Sequence, residues 1–179
     1  MDKSNLVLIG MPGAGKSTVG VILAKRLGFD FIDTDVLIQA KRHRRLQDII
    51  DREGLAAFCR IEEEILLALQ AQRTIIATGG SVIYSEAGMR ALRKNGLIVF
   101  IDVPLPELEK RIRDMDTRGM VIDPGETLAD LYRRRLPLYR RWADRTIGWR
   151  EETMEEVAAR ISDLATCLDF DPFREDNIY

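Results

Sequence analysis

Nine consecutive residues near the N-terminus have the types and spacing of a phosphate grip. Gly10-Met11-Pro12-Gly13-Ala14-Gly15-Lys16-Ser17-Thr18 fits G-x-x-x-x-G-K-[ST]. Glycines let successive backbone N–H groups curl around a phosphate. A helix starting at the end of such a loop adds its first N–H groups and the positive end of its dipole. Lys16 would reach the outer phosphates of a nucleoside triphosphate, and the Ser17 hydroxyl would ligate Mg²⁺. Gly13, Ala14, Gly15, Lys16, Ser17 and Thr18 are therefore the expected ATP-binding residues.

Two further clusters could serve a phosphoryl acceptor. Asp33-Thr34-Asp35 closes a short apolar run, and carboxylates one residue apart on a strand point the same way. One could hold Mg²⁺ through water while the other accepts the proton of an attacking hydroxyl. An Asp at such a spot also serves as a helix cap. Gly79-Gly80 closes a third apolar run, where paired glycines permit close backbone approach to a ligand or simply a tight turn.

These clusters need elements to position them. Apolar runs predict strands at 6–9, 29–32, 74–78 and 97–102, with a further short one at 145–147. Helical periods predict helices over 16–27, 86–94, 104–113, 128–142 and 153–168, and two or three helical pieces over 36–69 broken near Gly54. Strands alternating with helices imply an α/β fold with a parallel sheet covered on both faces. Ligands in such folds sit beyond the carboxyl ends of the strands, where all three clusters fall.

Composition narrows the function. The 179 residues fit one domain with a core of its own. With 27 basic and 29 acidic residues the net charge is −2, which argues against a nonspecific nucleic-acid or membrane binder. No apolar run approaches the roughly 20 residues of a membrane helix, and the N-terminus lacks a signal-peptide pattern. Only Cys59 and Cys167 occur, too few for a disulfide framework, so a cytoplasmic protein is expected. Twenty-one of the 27 basic residues are Arg, and ten of those fall between 111 and 150. Arg suits bidentate gripping of phosphate and carboxylate. The acidic stretch 169–179 reads as a C-terminal extension.

Taken together, the phosphate loop, Phe31-Ile32-Asp33-Thr34-Asp35, Phe58-Cys59-Arg60-Ile61-Glu62-Glu63, Thr78-Gly79-Gly80-Ser81 and Leu136-Pro137-Leu138-Tyr139 resemble the shikimate kinase family over about residues 5–165. The resemblance implies a P-loop three-layer α/β/α fold with a five-stranded parallel sheet and a mobile lid near 114–126. It implies ATP and Mg²⁺, and transfer of a phosphoryl group to a small carboxylate-bearing alcohol such as shikimate. Asp35 would hold the acceptor hydroxyl and act as base, and Asp33 would help place Mg²⁺. Arg118 would reach the transferring phosphate, Arg111 would lie near the nucleotide base, and Arg135 would grip the acceptor carboxylate. Neither nucleic acid nor membrane is an expected partner, and a monomer is expected.

This chain departs from the family pattern at the acceptor. Cys59 stands where the family has an Arg, Ser81 where it has a third glycine, and Gly119-Met120 where a proline follows the lid Arg. Arg44, Arg45 or Arg60 could replace the missing guanidinium, although one helical step of 100° turns Arg60 away from Cys59. Glu62, three residues on, shares the face of Cys59. It could instead meet the ammonium of a hydroxylated, homoserine-like amino acid. The substrate-binding candidates are thus Asp35, Cys59, Glu62, Gly79, Gly80, Ser81 and Arg135. A nucleoside or gluconate kinase, or a nucleotide-binding sensor without kinase activity, are the alternatives. The lone His43, in a basic patch, reads as a solvated surface residue.

Overall fold

The computed structural model describes residues 3–113 and 125–166. Most of the lid segment, with Arg118, and the acidic extension, with Cys167, lie outside them. Five strands, β1 (Asn5–Ile9), β2 (Asp30–Asp33), β3 (Thr74–Ala77), β4 (Gly96–Asp102) and β5 (Arg145–Gly148), form one sheet in the order β2-β3-β1-β4-β5. Every neighbouring pair is parallel. Parallel strands need crossovers, and these are supplied by α1 (Lys16–Leu27), α2 (Thr34–Arg42), α3 (Leu46–Glu53), α4 (Leu55–Leu67), α5 (Glu86–Asn95), α6 (Leu105–Arg113) and α7 (Leu128–Trp142). The last helix among the described residues, α8 (Met154–Thr166), follows β5 and packs on α1.

The expected α/β architecture and its five-stranded parallel sheet are present. The predicted 36–69 region divides into three helices. It breaks at Gly54 as expected and again at His43, which takes a left-handed φ of 52°. β1, β3 and all but the last residue of β4 are wholly buried. Helices cover both faces, which explains continuous rather than alternating apolar runs. Each buried Val, Leu or Ile contributes roughly 1.5–3 kcal/mol by leaving water. β5 is held by Asp144, whose carboxylate accepts from the Ile98 N–H at 3.0 Å and Lys3 Nζ at 2.7 Å.

Strand order places the functional loops side by side. β1 and β3 are neighbours, and Thr78, just past β3, donates both its N–H (3.2 Å) and its hydroxyl (3.0 Å) to the carbonyl of Leu8. The loop after β1 and the turn after β3 therefore leave the sheet at one place. α1 lies close over the sheet because Gly20 has no side chain: a Cβ there would sit 2.6 Å from the Phe31 ring.

Gly20→Val is therefore expected to force α1 away from β2 and β3. It should destabilise the fold by about 1–3 kcal/mol, the usual cost of overpacking. Urea unfolding with an unchanged midpoint would show that α1 can be displaced freely.

Candidate active site

The phosphate loop runs from Gly10 to Gly15, between β1 and α1. Gly13 (φ 78°) and Gly15 (φ 90°) occupy the left-handed region that favours glycine. Gly15 is the N-cap of α1 and brings no capping side chain. The first N–H groups of the helix are thus left for an anion. Lys16 Nζ donates to the carbonyls of Gly10 (3.0 Å) and Met11 (2.9 Å), which centres the ammonium in the loop. Burial is the main cause that lowers the Lys16 pKa to about 8, against the attraction of Asp35.

Arg111, from α6, closes the loop from outside. Its Nη1 donates to the carbonyls of Gly13 (3.3 Å) and Ala14 (3.4 Å), and its Nε donates to Glu107 (2.9 Å). The guanidinium lies 4.0 Å from the centre of the Trp149 ring. Such a cation–π contact together with an ion pair fixes the plane of the guanidinium.

Asp33 joins the phosphate loop to the acceptor side. Its Oδ2 accepts from the Ser17 hydroxyl at 2.5 Å, and its Oδ1 accepts from the N–H groups of Asp35 (3.0 Å) and Val36 (3.3 Å). Asp33 is thus the N-cap of α2. Here the strand reading needs correction: Asp35 is in the first turn of α2, so helix capping rather than strand alternation aligns the two acids. Burial pushes the Asp35 carboxyl up to about 6, with Lys16 opposing and Asp33 adding.

The turn after β3 gathers the remaining groups. A Cβ at Gly79 would lie 2.5 Å from Glu62 Oε1 and 2.7 Å from Asp35 Oδ1. One at Gly80 would lie 2.9 Å from Arg135 Nη1 and 3.1 Å from Pro12. Only a backbone without side chains admits both acids and the guanidinium so closely. The Gly79 N–H donates to Thr34 Oγ1 at 3.1 Å, and Tyr139 donates its hydroxyl to the carbonyl of Gly80 at 2.7 Å.

Glu62 and Arg135 are the buried charges of this turn, 2% and 1% exposed. Glu62 Oε2 accepts from Ser81 Oγ at 2.8 Å, while Oε1 has no hydrogen-bond partner among the described residues. Burial pushes Glu62 up to about 7, eased by Ser81 and Arg135 and reinforced by Asp35. Cys59, half-buried one turn before Glu62, has its thiol pushed up by burial and then by Glu62, which keeps it protonated and unreactive.

Most of the predicted residues therefore meet. Lys16, Asp35, Glu62 and Arg135 form one cluster of mutually interacting charges, flanked by Ser17, Asp33, Cys59, Gly79, Gly80 and Ser81. Thr18 is exposed on the first turn of α1. Arg44, Arg45 and Arg60 are all exposed, and Arg44 pairs with Glu53 at 3.1 Å. None of the three is among the charges that act on Glu62. Tyr139 and Tyr84, both against Arg135, were not among the sequence candidates. Tyr139 was visible only as part of Leu136-Pro137-Leu138-Tyr139, and Tyr84 carried no signal.

The described residues thus combine a parallel α/β sheet, a phosphate loop, a candidate base and a candidate carboxylate grip, the parts of a P-loop small-molecule kinase. A sequence model of shikimate kinase matches residues 12–166. A shikimate kinase from Paracidovorax citrulli is 39% identical over 167 residues, 90% of each chain. One from Thermodesulfovibrio yellowstonii is 37% identical, covering 88% of this chain and 92% of its own length. A solved shikimate kinase from Acinetobacter baumannii, in complex with shikimate, superposes with a TM-score of 0.83 at 32% identity over 94% of both chains. The chain belongs to the shikimate kinase family, and it is an ATP-dependent kinase.

The raised Glu62 pKa makes a prediction about stability. A carboxyl whose folded pKa lies above its unfolded value holds more protons in the folded state. Its contribution is full below the unfolded value of 4.5 and is lost as pH rises through about 7. Glu62→Gln should remove about 3 kcal/mol of this pH dependence, the order of the shift. The variant should therefore be the more stable protein above neutrality. Denaturation curves at pH 5 and pH 8 that change equally in both proteins would refute the assignment.

Proposed function

We propose that this kinase transfers the γ-phosphoryl group of ATP to a ring hydroxyl of shikimate. The observation that carries this reading is the pairing of a carboxylate, Asp35, with a buried guanidinium, Arg135, across one glycine turn beside Lys16. Such an arrangement suits a molecule with a hydroxyl at one end and a carboxylate at the other. Relatives named shikimate kinase, 34–39% identical over most of the chain, support the same choice.

Asp35 would accept a hydrogen bond from the acceptor hydroxyl and take its proton late. The hydroxyl oxygen forms a bond to the γ-phosphorus as the bond from that phosphorus to the bridging oxygen breaks, releasing ADP. Phosphoryl transfer depends on positioning and charge stabilisation more than on covalent chemistry. Lys16 and the loop N–H groups would meet the charge on the phosphate oxygens, with Arg118 added by resemblance. Ser17 and Asp33 present the oxygen donors that suit Mg²⁺, which takes few protein ligands and keeps waters and phosphates. The ion would supply neutralising charge. Arg111, its guanidinium 4.0 Å from the centre of the Trp149 ring, would face the nucleotide base.

An amino-acid acceptor with its ammonium on Glu62 is disfavoured. Burial leaves Glu62 only partly ionised at neutrality, a weaker counter-ion than a free carboxylate. A hydrogen bond from the acceptor to the open Oε1 remains compatible with shikimate.

Steady-state kinetics with shikimate test the reading. Asp35→Asn should lower kcat by about 10²–10⁴-fold, the range for a general base, with the KM for ATP little changed. Lys16→Ala should abolish transfer in a folded protein. Cys59→Arg, one turn from Glu62, should lower the KM for shikimate by adding a second cation. A wild-type protein that binds ATP but phosphorylates no shikimate would overturn the reading in favour of a nucleotide-binding sensor.

A further inference from the structure

Arg135 is the largest fully buried side chain described, and a buried guanidinium holds one direction only if its donors are held. Two phenols hold it. Tyr139 lies beside it, one turn on in the same helix, and is itself fixed by its bond to Gly80 and by stacking on Phe100 at 5.1 Å. From the other side Arg135 Nε donates to the hydroxyl of Tyr84 at 3.3 Å, and its Cζ lies 5.4 Å from the Tyr84 ring centre. The two tyrosines differ: Tyr139 is wholly buried, while Tyr84 is 39% exposed.

Tyr84 has little reason to be where it is for packing alone. It ends a short 3₁₀ turn, Val82–Tyr84, whose Tyr84 N–H donates to the Ser81 carbonyl at 2.9 Å. Val82 and Ile83 of that turn are buried, and Tyr84 is among the few large hydrophobic side chains left exposed. Its ring also carries the guanidinium of Arg134 at 5.7 Å, which in turn pairs with Glu126 at 2.8 Å. One aromatic residue therefore meets both guanidiniums of Arg134-Arg135, at the mouth of the turn that holds Glu62 and Asp35.

We propose that Tyr84 is a positioning residue that aims Arg135 at the acceptor's carboxylate and so sets acceptor affinity. The carboxylate role of Arg135 rests on the function proposed above; the hold of Tyr84 on Arg135 does not. Arg makes bidentate bonds only when its plane is set. A donor bond on Nε sets the plane of the guanidinium, and with it the direction of Nη1, the nitrogen nearest to where a Cβ at Gly80 would sit. Position 59 offers a thiol rather than a charge, so a misdirected Arg135 would have no second cation beside it on that helix face.

The test uses Tyr84→Phe and Tyr84→Ala in the full-length protein. The first removes only the hydroxyl; the second removes the ring as well. Tyr84→Phe should raise the KM for shikimate about 3–10-fold, as for one hydrogen bond of ordinary net strength, and Tyr84→Ala more. In both, kcat, the KM for ATP and the melting temperature should stay near wild type. A KM for shikimate unchanged within twofold, or equal changes in both KM values, would overturn the proposal. NMR of isotope-labelled arginine gives a readout without substrate: the Arg135 Nε–H signal should shift and exchange faster with water in Tyr84→Phe. An unmoved signal also overturns the proposal. A wild-type protein inactive on shikimate whose signal still responds would sink the substrate reading alone.

Discussion

The site depends on a stretch of backbone with no side chains. At Gly79 and Gly80 any Cβ would meet Glu62, Asp35, Arg135 or Pro12 within 3.1 Å. These four residues come from α4, α2, α7 and the phosphate loop. They can converge only because the chain leaving β3 is as thin as a peptide can be. Thr34 holds the turn from one side and Tyr139 from the other, so its close approach is specified by hydrogen bonds as well as by absent side chains. The parallel pairing of β3 with β1 then brings this turn beside the phosphate loop.

Such convergence concentrates buried charge. Lys16, Glu62 and Arg135 are each almost wholly removed from water and Asp35 is half-buried, which burial alone would penalise heavily. The shifts of Lys16, Asp35 and Glu62 record the compromise. The lysine is drawn down and both carboxyls up, so each moves toward neutrality while the opposite charges pull back. Glu62 is the least compensated, with one oxygen on Ser81 and the other open. Burial and strain are commonly concentrated where a protein acts on a ligand. Here the fold bears this cost on rigid supports: a capped helix for Asp35 and two phenols for Arg135.

How much of this was legible in the sequence followed from how local each signal is. The phosphate loop was fully legible because its chemistry lies in nine consecutive residues. The three inner strands showed as apolar runs, since β1, β3 and nearly all of β4 are buried on both faces. The spacing of Asp33 and Asp35 points to the site, but strand geometry does not account for it. Both lie in the site, but the boundary between β2 and α2 falls between them, and strand alternation does not decide where a cap forms. Glu62 could be placed on the face of Cys59 by helical spacing, whereas its open oxygen depends on what three other elements bring near. Tyr84 was invisible: nothing in Val82-Ile83-Tyr84 says that a helix some fifty residues later will place two guanidiniums against its ring.

Asp33 shows how one carboxylate can link the two halves of such a site. A carboxylate has two oxygens, and here each serves a different element. Oδ2 faces the Ser17 hydroxyl, the group the loop would offer to Mg²⁺, and Oδ1 caps the helix that carries Asp35. Any shift of Asp33 toward the phosphate loop therefore pulls on the first turn of α2. Asp35 sits in that turn, so its distance from the loop is set by a short bonded path rather than by loose packing. An asparagine could cap the helix equally well but would bring no negative charge to the Ser17 side. Capping alone does not require an acid at position 33, and the short contact with Ser17 provides the reason for one.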